Sequence, residues 1–116
     1  MLNPRDIALL MDIASAAERI MAFTDGMDEA SFKKDARTNL AVQHQIMVIG
    51  EAAKRLSPGL QDEISEIPWS AVARMRDRLI HGYDTVDLEV VWDTVRQSIP
   101  SLQETVRKRL ADSKIE

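Results

Sequence analysis

The sequence predicts an all-α protein, an antiparallel up-and-down bundle of about four long helices joined by short connections and short helical turns. Apolar residues recur at intervals of three and four over long stretches, which is the period of an amphipathic helix. The sequence has no stretch of strand-like alternation, and glycine and proline stand at a few points between the apolar stretches. At 116 residues, the chain is expected to form one domain over residues 1–116 around a single core.

The first helix is predicted to span Pro4–Phe23, with Asn3 as its N-cap. Its apolar residues form two stripes. The first consists of Ile7, Leu10, Met11, Ala14, Ala17 and Met21, and the second of Leu9, Ile13, Ala16, Ile20 and Phe23. Two stripes indicate two buried contacts. One contact is expected with the core of the bundle, and the other is either a subunit interface or further packing within the bundle.

The second long helix is predicted over residues 35–56, after a turn at 24–28 and a single helical turn at 29–33. Its core stripe is Val42, Ile46, Ile49, Ala53 and Leu56. The other side of this helix carries His44, Met47 and Glu51. A histidine and a carboxylate on one helix can bind a metal, but the intervening methionine and the missing third ligand favour an interface or a supporting role. No metal site is therefore expected.

The third long helix is predicted to begin at Ile67 and Pro68, after residues 57–59 end the second helix and residues 60–65 form a short turn. Its core stripe is Val72, Met75 and Leu79. Gly82 is expected to end it, leaving Tyr83 just beyond the helix.

The last helix is predicted over residues 88–114, with Asp87 as its cap. Its apolar positions are Val91, Val95, Ile99, Leu102, Val106 and Leu110. Pro100 is expected to kink or break this helix, because proline removes a backbone donor and crowds the preceding turn.

The residues best able to do chemistry lie together at Arg76, His81 and Tyr83. A guanidinium can hold a phosphate, an imidazole can move a proton, and a phenol offers a hydroxyl. On an ideal helix Arg74, Arg78 and His81 share one face, whereas Arg76 lies about 140° from His81. Geometry within one helix thus favours Arg74 and Arg78 as phosphate-binding residues.

Composition limits the classes of function. The formal net charge of -4 argues against RNA binding over the whole surface, so any RNA contact must use a local patch. The absence of cysteine excludes disulfides and thiolate sites, as is common in cytoplasmic proteins. The first helix carries Asp12 and Glu18 within its apolar pattern, which argues against a signal peptide or a membrane span. A cytoplasmic protein is expected.

Several fragments of the sequence resemble a known family when their order and spacing are taken together. They are Arg5-Asp6, Phe32 with Asp35, Ile49-Gly50-Glu51-Ala52, Ile67-Pro68-Trp69, Met75-Arg76, Val86-Asp87 and Val91-Trp92, around the motif Arg76-x4-His81-x-Tyr83. This pattern resembles the HepT-like toxins of the HEPN-domain ribonucleases. Asp77 stands where asparagine is common in that family, although other polar residues also occur there.

The resemblance implies a HEPN-like homodimer that cleaves RNA, with tRNA as a candidate substrate, without metal or cofactor. Arg76 and His81 would be catalytic, and Asp77 would support the motif. Tyr83 would orient the phosphate and would be the residue to which a small nucleotidyltransferase antitoxin attaches AMP. The motifs of two subunits would line one cleft, which would resolve the separation of Arg76 from His81.

Other basic residues are candidates for contacts with the RNA backbone. They are Arg74, Arg78, Lys33, Lys34 and Arg37. Exposed basic residues are more often simply solvated.

Two alternatives remain open from the sequence. The chain can be a binding module that holds a nucleotide or a partner protein without catalysis, or a purely structural dimerisation bundle. In the binding module the motif would position the nucleotide or the partner. In the purely structural case Arg76 would cap carbonyls or pair with Asp77 or Glu51, and His81 would pack at a helix end.

Overall fold

The computed structural model describes the backbone of residues 2–115 and the side chains of residues 2–82 and 84–113. The elements in chain order are α1 Pro4–Phe23, α2 Glu29–Lys34, α3 Ala36–Arg55, α4 Pro58–Glu63, α5 Trp69–His81, a 3-10 turn Tyr83–Thr85, α6 Leu88–Asp93, a π-helical segment Thr94–Ser98 and α7 Ile99–Ile115. The predicted all-helical class is confirmed for the described backbone. None of its helices combines the length and apolar character needed to cross a bilayer.

Helix α1 has the predicted bounds, and its start has the predicted cap: the Asn3 side chain accepts a 2.7 Å hydrogen bond from the amide of Asp6. Its buried apolar residues come from both predicted stripes and form one continuous face. They are Leu9, Leu10, Ile13, Ala16, Ala17 and Ile20. Of the other stripe members, Ile7 and Ala14 are partly buried against the core, and Met11, Met21 and Phe23 are exposed. A subunit contact through α1 therefore stays a prediction.

Helix α3 lies between α1 and α5, and α7 packs against α1. All five residues of the predicted α3 core stripe are buried. The end of α3 meets the start of α1, because the buried Asp6 carboxylate accepts hydrogen bonds from the Ser57 amide at 3.1 Å and its hydroxyl at 2.6 Å. Helices α1 and α3 are therefore antiparallel.

The short helices brace the long ones. In α2, Asp28 and Ser31 form a capping box, and the buried Phe32 packs against Trp92 with ring centroids 5.1 Å apart. Helix α4 begins at Pro58, earlier than the predicted turn at 60–65, because proline is favoured in the first turn of a helix. The Trp69 indole N–H donates to the Ile64 carbonyl at 3.0 Å, which ties α5 to the preceding segment.

Helix α5 is less buried than predicted. Of its expected core stripe only Leu79 is buried, whereas Val72 and Met75 are partly exposed. The reason is that α5 packs mainly against α3, and its other side borders clefts.

Pro100 does not end the last helix, although the sequence predicted a kink or a break there. Asp87 caps the helix as expected, accepting from the Glu89 amide, and the helical path continues to Ile115. The π-helical segment stands immediately before Ile99 and Pro100. The amide of Ile99, the residue that follows this segment, donates to the Thr94 carbonyl five residues earlier. This wider turn gives the proline ring room that a regular α-helix would deny it.

Candidate functional site

Helix α5 carries most of the predicted motif. Arg76 and Asp77 lie in its C-terminal half and His81 is its last residue. The backbone of Tyr83 begins the following 3-10 turn, as expected for a residue just beyond the helix. The Tyr83 side chain lies outside the described residues.

Gly50 brings α3 and α5 unusually close at Arg76. A Cβ atom at Gly50 would overlap the Cβ atom of Arg76 and would lie 2.7 Å from its Cγ atom. Real Cβ atoms are not found so close to other heavy atoms. The aliphatic part of Arg76 therefore packs directly on the α3 backbone, and any larger residue at position 50 would push the two helices apart.

Two carboxylates hold the Arg76 guanidinium. Its Nη2 atom lies 3.0 Å from Oε2 of Glu51 on α3, and its Nη1 atom lies 3.0 Å from Oδ1 of Asp77. The Nε–H group is buried and has no acceptor among the described residues. The side chain is 22% exposed. The pairing of Arg76 with Asp77 or Glu51, an alternative left open by the sequence, is thus present with both partners.

Asp77 is the more strongly fixed of the two carboxylates. The hydrogen bond from Arg76 holds the pKa of Asp77 below its ordinary value, and the nearby charge of Lys54 lowers it further. The Lys54 Nζ atom lies 3.6 Å from the same Oδ1 atom. The carboxylate of Asp77 therefore remains ionised at neutral pH, and it links α5 to α3 through Lys54.

Of the clefts that border α5, two contain predicted site residues. The α3–α5 cleft, about 340 Å³, is lined by Leu9, Asp12, His44, Met47, Val48, Glu51, Ala52, Arg55, Arg76 and Ile80. The α5–α6 cleft, about 620 Å³, is lined by Met75, Asp77, Arg78, Leu79, His81, Gly82, Thr85, Val86, Asp87, Val90 and Val91. Arg76 thus lines one cleft and His81 the other, in agreement with their angular separation on an ideal helix.

Comparison with known proteins identifies the family of this chain. The family model described as HepT-like, ribonuclease HepT-like, matches residues 13–109. The chain belongs to the HepT-like ribonuclease family. A Thermococcus cleftensis protein named "Probable ribonuclease HepT" is 45% identical over 94 residues, covering 81% of this chain and 86% of that protein.

Two proteins of Methanocaldococcus jannaschii named as candidate RNases are also similar to this HepT-like chain. One is 38% identical over 94 residues, covering 81% of this chain and 78% of the relative. The other is 38% identical over 109 residues, covering 93% and 94%. No solved structure gives a significant match.

The other predicted site residues of this HepT-like protein are distributed around α5. Arg78 lines the α5–α6 cleft with His81, while Arg74 is exposed on the same helix. His44 and Glu51 line the α3–α5 cleft with Arg76. The structure therefore joins Arg78 to His81, and His44 to Arg76, but it does not place the full motif in one cleft of one subunit.

The basic residues predicted before and at the start of the second long helix are all exposed. Lys33 and Lys34 stand in the last turn of α2, and Arg37 stands in the first turn of α3. The Lys33 Nζ atom lies 3.2 Å from Oε2 of Glu29 on the same helix, so part of the charge of Lys33 is locally balanced. Among the residues with described side chains, no group of three histidine, cysteine or acidic residues could hold a metal ion.

Sequence reasoning missed two contributors to the site of this HepT-like protein, Gly50 and Lys54. A signal for Gly50 existed, because glycine inside an amphipathic helix costs about 1 kcal/mol relative to alanine and often marks close packing. Lys54 gave no such signal, since its partner Asp77 lies on another helix.

Proposed function

We propose that this HepT-like protein is the toxin of a toxin–antitoxin pair, a ribonuclease that cleaves RNA without a metal ion. The observation that carries the proposal is the placement of Arg76, whose guanidinium is anchored beside an open cleft on the helix that ends at His81. Family membership supports the choice of RNA as substrate, and tRNA is the first RNA to test.

The chemistry needs few protein groups because RNA supplies its own nucleophile. Attack of a ribose 2′-oxygen on the adjacent phosphorus requires a group that moves a proton and a cation that faces the developing charge. We assign proton transfer to His81, because a neutral imidazole can accept a proton and an imidazolium can donate one. We assign the phosphoryl oxygens to the forked donors of Arg76.

The proposed active unit is a two-fold homodimer. Arg76 and His81 line different clefts of one subunit, so a site that uses both draws them from two copies. An apolar surface suited to this contact borders the α3–α5 cleft, where Ile80 is 38% exposed and Leu40, one turn before His44, is 62% exposed. Two-fold dimers are the commonest closed assembly. Sedimentation of the protein as a monomer at micromolar concentration would contradict the proposed dimer and its shared active site.

The direct test is RNA cleavage by purified protein in the presence of EDTA. Arg76→Ala and His81→Ala should each lower the rate at least about 100-fold, because each removes a group acting in the transition state. Arg19→Ala, exposed on α1 and outside both clefts, is the matched control. Circular dichroism should show the same helical content in all variants. Full activity of either motif variant would refute the assigned roles.

We further propose that a small nucleotidyltransferase antitoxin attaches AMP to Tyr83 and so inactivates the toxin. Tyr83 is the only tyrosine of the chain, and its backbone lies two residues beyond His81, the last residue of α5. A bound adenylate would add bulk and negative charge near His81, where RNA must enter.

The test of this regulation is the intact mass after incubation with the partner and ATP. An adenylate-sized increment on the wild type and none on Tyr83→Phe would support the proposal. An equal increment on both proteins would place the modification elsewhere.

One observation favours a second candidate, a non-catalytic module that binds a partner or a nucleotide. Both terminal nitrogens of Arg76 already contact carboxylates, as they would in a purely structural ion pair. Absence of RNA cleavage by wild-type protein, together with retained binding of the nucleotidyltransferase, would select this candidate.

A further inference from the structure

We infer that Glu51 is a further catalytic residue, the general base that takes the proton of the RNA 2′-hydroxyl. The inference rests on the proposed ribonuclease function and adds the second of its two proton transfers. One group must receive the 2′-hydroxyl proton and another must supply a proton to the leaving 5′-oxygen. With His81 as the donor to the leaving oxygen, an acceptor must stand beside Arg76.

The first step is an exchange of anions on Arg76. The Oε2 atom of Glu51 lies 3.0 Å from Nη2 of Arg76, and the Glu51 side chain is 52% exposed. An ion pair with so exposed a partner contributes little to stability, and a phosphate offers a guanidinium two parallel hydrogen bonds. An RNA phosphate therefore displaces Glu51 from Arg76 at small cost.

The displaced carboxylate stays where the reaction needs a base. Its backbone is fixed by Gly50 against Arg76, so it cannot move far from a phosphate bound to that guanidinium. The 2′-hydroxyl of the attacking ribose is adjacent to the phosphate. A carboxylate held beside that phosphate can accept the proton of the hydroxyl.

The alternative acceptor at the same guanidinium is Asp77, and its surroundings make it the weaker base. Asp77 contacts both Arg76 and Lys54, and these cations lower its pKa. It also lines the opposite cleft with His81. Asp77 therefore remains on Nη1 as the group that orients the guanidinium, while Glu51 exchanges with the phosphate on Nη2.

The bonds and protons balance without a further reactant. The 2′-oxygen forms a bond to phosphorus, and its proton passes to Glu51. The bond from phosphorus to the 5′-oxygen breaks, and that oxygen takes a proton from His81. The products are a 2′,3′-cyclic phosphate and a 5′-hydroxyl end.

The surroundings of Glu51 set what a pH profile will report. The α3–α5 cleft presents Asp12 from α1, His44 and Arg55 from α3, and Arg76 from α5. A base in this cleft must be ionised to act, so its protonation appears as a fall in rate on the acidic side.

The test compares Glu51→Gln with Asp77→Asn in steady-state cleavage of RNA across pH. Glutamine keeps the size and the hydrogen-bond acceptor that Arg76 contacts but cannot take a proton. Glu51→Gln should therefore lower kcat at least about 100-fold with KM changed less than about threefold, and the acidic limb of the pH profile should disappear. Asp77→Asn should keep the acidic limb of the pH profile, because this variant retains Glu51 as the base.

A second variant tests whether the loss of activity reflects the missing base and not a disturbed structure. Glu51→Ala removes the side chain altogether, and added formate should restore part of its activity if a carboxylate is needed as a base. Full activity of Glu51→Gln with the acidic limb intact, in a wild type that cleaves RNA, would overturn the role of Glu51 alone. Absence of cleavage by the wild type would overturn the proposed function and this role together.

Discussion

Helices α1 and α5 are held in the molecule in different ways. Helix α1 buries a continuous apolar face against α3 and α7. Helix α5 buries only Leu79 and rests mainly on α3. The two helices meet at the close approach of Gly50 to Arg76 and in the ion pairs Arg76–Glu51 and Asp77–Lys54. The stability of α1 is therefore distributed over many apolar contacts, whereas the placement of α5 depends on a few specific ones.

Under the proposed function, this difference follows from what each helix does. A helix that supports the fold can be covered on most of its surface, but a helix that carries reacting groups must leave them accessible. The clefts on both sides of α5 provide that access. Substitutions in α1 are thus expected to change stability, and substitutions at α5 are expected to change activity.

The largest expected effect on stability comes from matched leucines. Leu10 in α1 is 0% exposed, and Leu79 in α5 is 5% exposed but lines the α5–α6 cleft. Leu10→Ala should cost about 3–5 kcal/mol, because it leaves a closed cavity. Leu79→Ala should cost about 2 kcal/mol, because the space joins an open cleft. Urea denaturation at one protein concentration measures both, and equal losses would contradict the contrast between the helices.

The second prediction concerns the contact between α3 and α5. Gly50→Ala gains about 1 kcal/mol of helix propensity but meets Arg76, and such overpacking costs about 1–3 kcal/mol. A net loss of up to about 2 kcal/mol is expected, together with a large loss of RNA cleavage because Arg76 is displaced.

The matched control for Gly50 is Gly59→Ala. A Cβ atom at Gly59 would have no neighbour within 4 Å. This variant should keep both stability and activity. If Gly50→Ala also keeps full activity, the close approach of the helices does not position Arg76.

The same contrast explains what the sequence could predict. The spacing of apolar residues specifies the helices of the scaffold. The bounds of α1 and the buried stripe of α3 could therefore be predicted, the latter from residues such as Val42 and Ile46. The motif on α5 was also visible, because Arg76, His81 and Tyr83 are close in sequence. These predictions required only local periodicity and residue type.

What the sequence could not predict depends on contacts between helices. The choice of Glu51 and Asp77 as partners of Arg76 remained one alternative among several, because residues 51 and 76 meet only after α3 and α5 have packed. The partial exposure of Val72 and Met75 likewise depends on how few neighbours α5 has. The π-helical segment before Pro100 was missed because proline alone indicated a kink or a break.

The third prediction separates binding of RNA from chemistry. Arg78→Ala should weaken RNA binding and reduce the slope of log affinity against log salt by about 0.7, the value for one phosphate contact on a single strand. Arg74→Ala should act in the same way if Arg74 also contacts a phosphate. Neither should slow turnover at saturating RNA. Loss of turnover in either variant would favour an active site on the face of Arg74, Arg78 and His81.

The smallest expected effect is the pH dependence of stability from Asp77. Its folded-state pKa is held below the ordinary value by the Arg76 hydrogen bond. The resulting stabilisation is present above the unfolded-state pKa, about 3.9, and is lost as pH falls through the lower folded-state pKa. Asp77→Asn should therefore flatten the acidic part of the stability curve. Thermal melts between about pH 2 and pH 6 measure this change.

The cap residue Asp35 provides the scaffold counterpart. Its pKa is lowered mainly by hydrogen bonds from the Thr38 amide and hydroxyl, which carry no net charge. Asp35→Asn should also flatten the curve, but added salt should weaken the effect of Asp77 more than that of Asp35. Equal salt sensitivity would show that the ion pairs of Asp77 are not the cause.

The π-helical segment Thr94–Ser98 determines where the last helix can lose one residue without turning its apolar stripe away from the core. From Val91 to Leu110 a regular α-helix would rotate by about 1,900° around its axis, at about 100° per residue. This rotation is about 100° more than five whole turns. One residue absorbed by the wide turn cancels this excess, so the stripe keeps facing the core. Deletion of Gln97 combined with Pro100→Ala should therefore leave a regular helix in the same rotational phase. Deletion of Lys108 should instead turn the remaining residues of α7 by about 100° and expose Leu110.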